Sequence, residues 1–276
     1  MHKSVLKRLE KLLLIINEIS FVRFWLGFTK YLHNGFLIQR RRDVIILSHF
    51  GLGDQIIIGN LLNSLALNRN VVLPVDNKYS EQLRVYYAYN SNVRVEGVGH
   101  LKPEFYPRYA YLKELRRTFD LPIIDIGRNV VYFLSFFNQK SGVSRLYYLA
   151  GWNQGRNFKN IPAFHFHFKE EVSNSVNNPY AFIDHHPGTN REIPNYVFKA
   201  IDSAGLDLKF NDMTLTLIEQ LSTIINAQEL HFVASAPFCL ALAMPCKAST
   251  RVFYRTKYSK SVLGEEGSDW QRAECV

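Results

Sequence analysis

The sequence predicts an α/β protein of two Rossmann-like halves, preceded by a basic amphipathic helical segment. Three observations predict it. Val44 to Leu47 is a continuous apolar run rich in β-branched residues that enters the glycine turn Gly51-Leu52-Gly53, after which Ile57, Leu61, Leu62 and Leu65 repeat at helical spacing. Short apolar runs then alternate with helical stretches as far as Ile126, the pattern of a parallel sheet. The same alternation starts afresh at Tyr180.

Composition narrows the possibilities. With 276 residues, 47% of them hydrophobic, the chain holds ample core for one large domain or two small ones, and wholesale disorder is excluded. Cys239, Cys246 and Cys275 have no Cys-x-x-Cys spacing and leave one odd, so neither a disulfide framework nor a zinc site is expected, and a reducing cytoplasm is the natural compartment. The formal charge is +9. Residues 1–42 hold nine Lys and Arg against Glu10 and Glu18, so nine less two places seven of these charges at the amino end. A protein-wide nucleic-acid surface is thereby excluded, and no zinc-finger, RRM or KH signature is present.

In chain order, residues 5–28 have a broad apolar helical side carrying Phe21, Phe24 and Trp25. The longest uncharged run, Leu12 to Asn17, is far short of the roughly 20 residues that span a bilayer, and no signal-peptide cleavage site follows. Two readings stay open: a core-packing helix with a solvated basic face, or an interfacial helix on anionic lipid. Beyond the first strand, 70–75 reads as a strand, 80–89 as a helix, 93–98 as a strand, 111–118 as a basic helix and 121–126 as a strand. The aromatic stretch 132–148 has no readable role. Stretches 151–162 and 169–179, rich in Gly, Asn and Ser, mark the passage between halves, which sets boundaries of 1–42, 43–160 and 161–276. Between them His165 and His167 share one strand face, but with no Cys nearby two alternating histidines are a weak ligand set, so no metal is expected. The second series reads as strand 180–184, polar loop 185–192, helix 194–204, a weak strand at 209–210, helix 215–226, strand 229–234, turn 235–237, helix 238–243 and a last strand 251–254. The acidic tail from Gly264 is expected to be loose.

Each half presents a polar loop at the carboxyl end of its first strand, which implies a ligand held in a cleft between them. The first loop is not a dinucleotide fingerprint, because Ile56 stands where the third glycine belongs, and no Gly-Lys-Ser/Thr makes it a P-loop. Gly51 and Gly53 serve either a close ligand approach or close packing. Asp54 is either a plain helix cap or a functional carboxylate among Ser48, His49, Gln55 and Asn60. In the second half Thr189, Asn190 and Arg191 offer hydroxyl, amide and guanidinium groups suited to phosphate oxygens. The Ser235-Ala236-Pro237 turn opens a helix, where backbone N–H groups favour anions, although Ser235 also reads as a mere N-cap. His185, His186, Glu229 and His231 are either ligand contacts or structural polar groups, and Arg255 and Lys257 either add charge or are solvated.

Ser48-His-Phe-Gly-Leu-Gly-Asp-Gln-Ile56 resembles the Gly-Asp loop of GT-B glycosyltransferases of the heptosyltransferase type, family 9, and of related bacterial sugar-transferase-like proteins. The stretch Ile225 to Pro245 resembles their second hallmark, and the likeness runs from Val44 to about Tyr254. Ala234 and Ala236 stand where the family carries Asp and Gly, and Phe238 to Leu240 lacks its His. The resemblance implies a compact GT-B fold with an acceptor-side domain at 43–160 and a nucleotide-sugar domain at 161–276. It implies Asp54 as general base with His49 as second candidate, and Gly51, Gly53 and Gln55 in the acceptor-side loop. Donor contacts fall to Thr189, Asn190, Arg191, Ser235, Ala236, His185, His186 and Glu229, with no metal and no cofactor beyond the donor. The implied activity is sugar transfer from a nucleotide-sugar to a glycan or lipid-linked acceptor in surface polysaccharide assembly, in the cytoplasm or on the inner membrane face. The alternatives are a non-catalytic membrane- or partner-binding module of the same fold, and a nucleotide-sugar epimerase.

Overall fold

The computed structural model describes residues 20–40, 42–48, 51–99, 115–137, 178–186, 189, 191–244, 246–255 and 270–275. The expectations for residues 5–19, for His49, Asn190 and Lys257, and for 138–177 lie outside the described residues. No helix among those described is long and apolar enough to cross a membrane. The described residues up to Gly51 and those from Ile58 to Phe137 form one compact unit; Leu52–Ile57 and the residues from Asn178 onward form a second.

The first unit carries a four-stranded parallel sheet in the order β3-β2-β1-β4, with β1 Val44–Leu47, β2 Val71–Val75, β3 Val93–Gly97 and β4 Ile123–Asp125. Every residue of β1 is buried, as a β-branched central strand requires. On one face Ile45, Leu47, Val72 and Ile123 pack together with Leu115 of the helical turn at 115–119. Helix α1, Ser20–Gln39, packs along α5, Arg128–Phe137, so closely that a Cβ on Gly27 would meet Asn129 O at 2.2 Å and Phe133 Cβ at 2.6 Å. Residues 20–39 are thus docked on the first unit along one side. Phe21, Trp25, Leu32 and Phe36 remain exposed on the other.

The glycine turn does not feed one continuous helix. It feeds α2, Leu52–Ile57, which is followed after Ile58 by α3, Gly59–Ala66. Helix α4, Asn77–Tyr87, starts where Asp76 accepts a hydrogen bond from Lys78 N at 3.1 Å, a side-chain N-cap.

The second unit carries a five-stranded parallel sheet, order β6-β5-β7-β8-β9, from β5 Tyr180–Ile183, β6 Asp207–Phe210, β7 Glu229–Phe232, β8 Thr250–Arg255 and β9 Gln271–Glu274. Strand β9 corrects the expectation of a loose tail for Gln271–Glu274: it pairs with β8 from Val252↔Gln271 to Arg255↔Glu274. Its polar residues suit an edge strand that buries little. One face stacks Phe182, Phe232 and Phe253 against Phe238 of α8, Ala236–Ala243, and against Trp270, with Phe238 and Phe253 centroids 4.5 Å apart. The other face buries Ala181, Ile183, Val252 and Tyr254 under Val197 and Ile201 of α6, Asn195–Ser203. Gly205, at φ +73°, ends α6 in the left-handed conformation, with Leu206 N bonding back to Ile201 O at 3.3 Å.

The helix expected over 215–226 is helical only at α7, Leu221–Ile225. Upstream, side chains capture the backbone groups a helix would use: Thr214 N bonds Asp212 Oδ1 at 2.8 Å, and Thr216 and Glu219 exchange side chain-to-backbone hydrogen bonds at 2.6 and 3.3 Å. Thr216-x-x-Glu219 is a capping box, which marks a helix start rather than an interior.

Candidate functional site

In the second unit the chain passes from β5 to β6 on one side and then to β7 on the other. The strand order therefore reverses between β5 and β7, and open parallel sheets bind ligands outside the carboxyl ends of the strands at such a reversal. Asp184 follows β5, Asn211 follows β6, and Ser235 leads into α8.

Asp184 is the hub of this region. It is 0% exposed, and a buried carboxylate must be hydrogen-bonded to be tolerated. Asn211 Nδ2 donates to its Oδ1 at 2.8 Å, and the Ser235 hydroxyl donates to its Oδ2. His186 Nε2 stands 3.2 Å from Oδ1 but out of hydrogen-bond alignment. Backbone bonds from Asp184 N to His231 O at 2.8 Å and from Asn211 N to Ile183 O at 2.9 Å extend the ladders to this level. The sheet itself thus sets the height at which these side chains meet.

Ser235 is the N-cap of α8, its Oγ accepting from Phe238 N at 3.2 Å. Because Pro237 has no N–H and Phe238 N is taken by the cap, the first turn of α8 offers a ligand the N–H of Ala236. Helix α2 lies on α8 within the same unit. A Cβ at Gly53 would stand 2.9 Å from Cys239 Sγ and 3.3 Å from Ala236 Cα, so the glycine serves the close approach of two helices. Asp54 sits in the first turn of α2, partly exposed, where the helix dipole favours a carboxylate. Burial first, and then the charges of Asp54 and Asp184, push the Cys239 thiol far up, which makes it an inert packing residue.

The loop after β5 is closed on itself. His186 and Arg191 form an antiparallel bridge, Thr189 Oγ1 donates to His186 O at 2.7 Å, and Arg191 N donates to Thr189 Oγ1 at 3.1 Å. The Thr189 hydroxyl proton is therefore used within the loop, while the side chain of Arg191 is exposed. His185 turns to the α6 side, its Nδ1 accepting from Ile193 N at 3.2 Å and its ring 5.2 Å from that of Phe198. Beside Asn211, Phe210 and Met213 are exposed.

Glu229 is not part of this group: it begins β7, on the order of 10 Å along the strand from the carboxyl end. There it forms a chain with His231 Nε2 at 3.1 Å, whose Nδ1 lies 2.9 Å from the Tyr254 hydroxyl. Burial, opposed by the Glu229 hydrogen bond and charge, holds His231 below its ordinary pKa. With the Tyr254 hydroxyl raised chiefly by burial, Tyr254 donates to Nδ1 of neutral His231, whose Nε2–H donates a hydrogen bond to Glu229. At the glycine turn Gly51 is exposed, and Gln55 of α2 is buried.

The structure thus brings Ser235, Ala236, Gly53 and Asp54 to the two packed helices, and His186, Thr189 and Arg191 into one loop. Asp184 and Asn211 are additions that sequence reasoning missed. The available signal was an apolar strand ending in a carboxylate directly before His185-His186.

No family model matches the sequence, and no curated protein matches it. Solved structures do. A glycosyl transferase family 9 protein from Veillonella parvula DSM 2008 superposes with a TM-score of 0.60 at 12% identity, over 84% of this chain and 85% of that one. The E. coli heptosyltransferase WaaC with ADP-2-deoxy-2-fluoro heptose gives 0.50 at 12% identity, over 84% and 92%. The same enzyme with ADP gives 0.50 at 11% identity, over 84% and 90%. At such identities the likeness is one of fold, and the chain has the fold of these family 9 and heptosyltransferase structures.

Proposed function

We propose that this protein is a glycosyltransferase that moves a sugar from a nucleotide-sugar to a glycan or lipid-linked acceptor in surface polysaccharide assembly. The observation that carries the reading is the polar site at the strand-order reversal of the second sheet, in a fold shared with enzymes whose structures hold ADP and an ADP-sugar. In the compact GT-B reading, exposed Arg191 is the main charge on the diphosphate, aided by Asn190 and the Ala236 N–H, while Thr189 shapes the loop that presents them, and no metal is required for that neutralisation. His186 contacts the sugar or nucleoside, and His185 holds the loop that presents Arg191. Asp54 is the general base toward the acceptor hydroxyl, with His49 the other candidate. The excess positive charge of residues 1–42, with exposed Phe21 and Trp25, suits the inner face of an anionic membrane where such an acceptor resides.

One observation favours a second reading. A first turn of α8 that offers a single N–H is a weak anion site, as in a non-catalytic module of the same fold. Calorimetry and thermal shift with nucleoside diphosphates and nucleotide-sugars separate the two. The enzyme reading expects binding that stabilises the protein by about 2.7 kcal/mol at a hundredfold excess over Kd. Arg191→Ala should abolish that shift, and Asp54→Asn should remove turnover by several powers of ten without unfolding. Well-folded protein that takes up no nucleotide establishes the module.

A further inference from the structure

We infer that Asp184 is the positioning residue of this site: without reaching the ligand, it locks the loops after β5, β6 and β7 in the arrangement that binds nucleotide. The inference rests on the nucleotide-sugar reading above. Three facts carry it. Asp184 is wholly buried, so it acts through its partners. Those partners come from three different strand ends: Ser235 Oγ on one oxygen, Asn211 Nδ2 at 2.8 Å on the other, and His186 Nε2 at 3.2 Å beside it. The Ser235 hydroxyl proton is committed to Asp184, which turns the remaining lone pairs of Oγ toward the α8 cap and fixes the start of that helix.

The charge is essential to this geometry. A carboxylate accepts from both Ser235 and Asn211, whereas a carboxamide of the same shape must aim an N–H₂ at one of two donors. Asp184→Asn therefore keeps the volume and frees one loop. It also removes a negative charge close to the diphosphate, which by electrostatics alone would tighten binding. The sign of the change in affinity thus separates positioning from charge.

The test is ADP affinity by calorimetry at a temperature where wild type and variants are fully folded. Asp184→Asn is expected to weaken ADP about tenfold. The combination with Ser235→Ala should weaken it no further than the greater single loss, because residues acting as one unit are non-additive. Asn211→Ala, which cuts the clamp from its half-buried end, should weaken ADP several-fold, and it serves if Asp184→Asn does not fold. Unchanged or tighter binding by Asp184→Asn overturns the inference while leaving the nucleotide reading intact, as does additivity of the two losses. A variant that melts earlier yet binds ADP like wild type shows a merely structural role. Failure of the wild type to bind ADP or any other nucleoside diphosphate overturns both.

Discussion

Lys30 Nζ lies 2.7 Å from Asp125 Oδ2, and one helical turn further along α1 Asn34 exchanges two hydrogen bonds with the backbone of the same Asp125, at 2.9 and 3.1 Å. The second carboxylate oxygen accepts from Gly127 N at 3.0 Å. Two side chains at i and i+4 thus read one residue at the end of β4, so α1 is held in register as well as by aromatic packing on α5. Lys30→Met keeps the apolar stem and should cost about 1–2 kcal/mol in urea unfolding. Asn34→Ala removes two buried partners at once and should cost about 2–4 kcal/mol. Equal midpoints for wild type and Asn34→Ala would show that α1 does not depend on these bonds.

Gly53→Ala places a methyl 2.9 Å from Cys239 Sγ, which forces α2 and α8 apart. Overpacking of this kind costs about 1–3 kcal/mol. Because the nearest obstacle is the sulfur, Cys239→Ala in the same chain should recover part of the loss even though it is itself a cavity mutation. A double variant no more stable than the sum of the singles would mean that the sulfur is not what limits the approach.

The membrane reading makes a prediction on the first unit. Phe21 is 69% exposed, Trp25 47%, Phe136 62% and Phe137 64%, and Phe24 joins them through ring contacts to Trp25, Phe136 and Phe137. Replacing Trp25 and Phe137 by Ser should weaken sedimentation with phosphatidylglycerol-rich vesicles by roughly tenfold or more, at about 1.5–3 kcal/mol per aromatic side chain buried. Melting should fall only modestly, since both rings are largely exposed and pack on their neighbours along one edge. Equal vesicle binding would place any membrane contact elsewhere.

What the chain discloses in advance follows from how local each signal is. β1 and β5 are legible because a buried parallel strand writes a continuous apolar run, and the glycine turn because Gly51 and Gly53 have few other uses. The break at Ile58 is hidden, since Ile57, Leu61 and Leu65 keep helical spacing across it. β9 is hidden because Gln271, Arg272 and Glu274 give an edge strand no apolar alternation. Asp184 reads as the end of a strand, and its importance depends on Asn211 and Ser235, 27 and 51 residues away. Gly53 was legible as a functional or a packing residue, and only its distance to Cys239 shows the packing.

His231 predicts a pH dependence of stability. In the folded chain its ring is neutral, held below 6.5 chiefly by burial, and it accepts from Tyr254 while donating to Glu229. An unfolded histidine takes up its proton near 6.5, before the folded one does. The unfolded state therefore binds more protons as pH falls from there, and stability contributed above 6.5 is lost as pH drops through the depressed folded value. His231→Gln removes that titration while retaining hydrogen-bonding groups. Denaturant midpoints at pH 7.5 should favour wild type, and the difference should shrink steadily toward pH 5. A constant difference across that range would mean that the buried histidine is protonated alike in both states, contrary to its place between Tyr254 and Glu229.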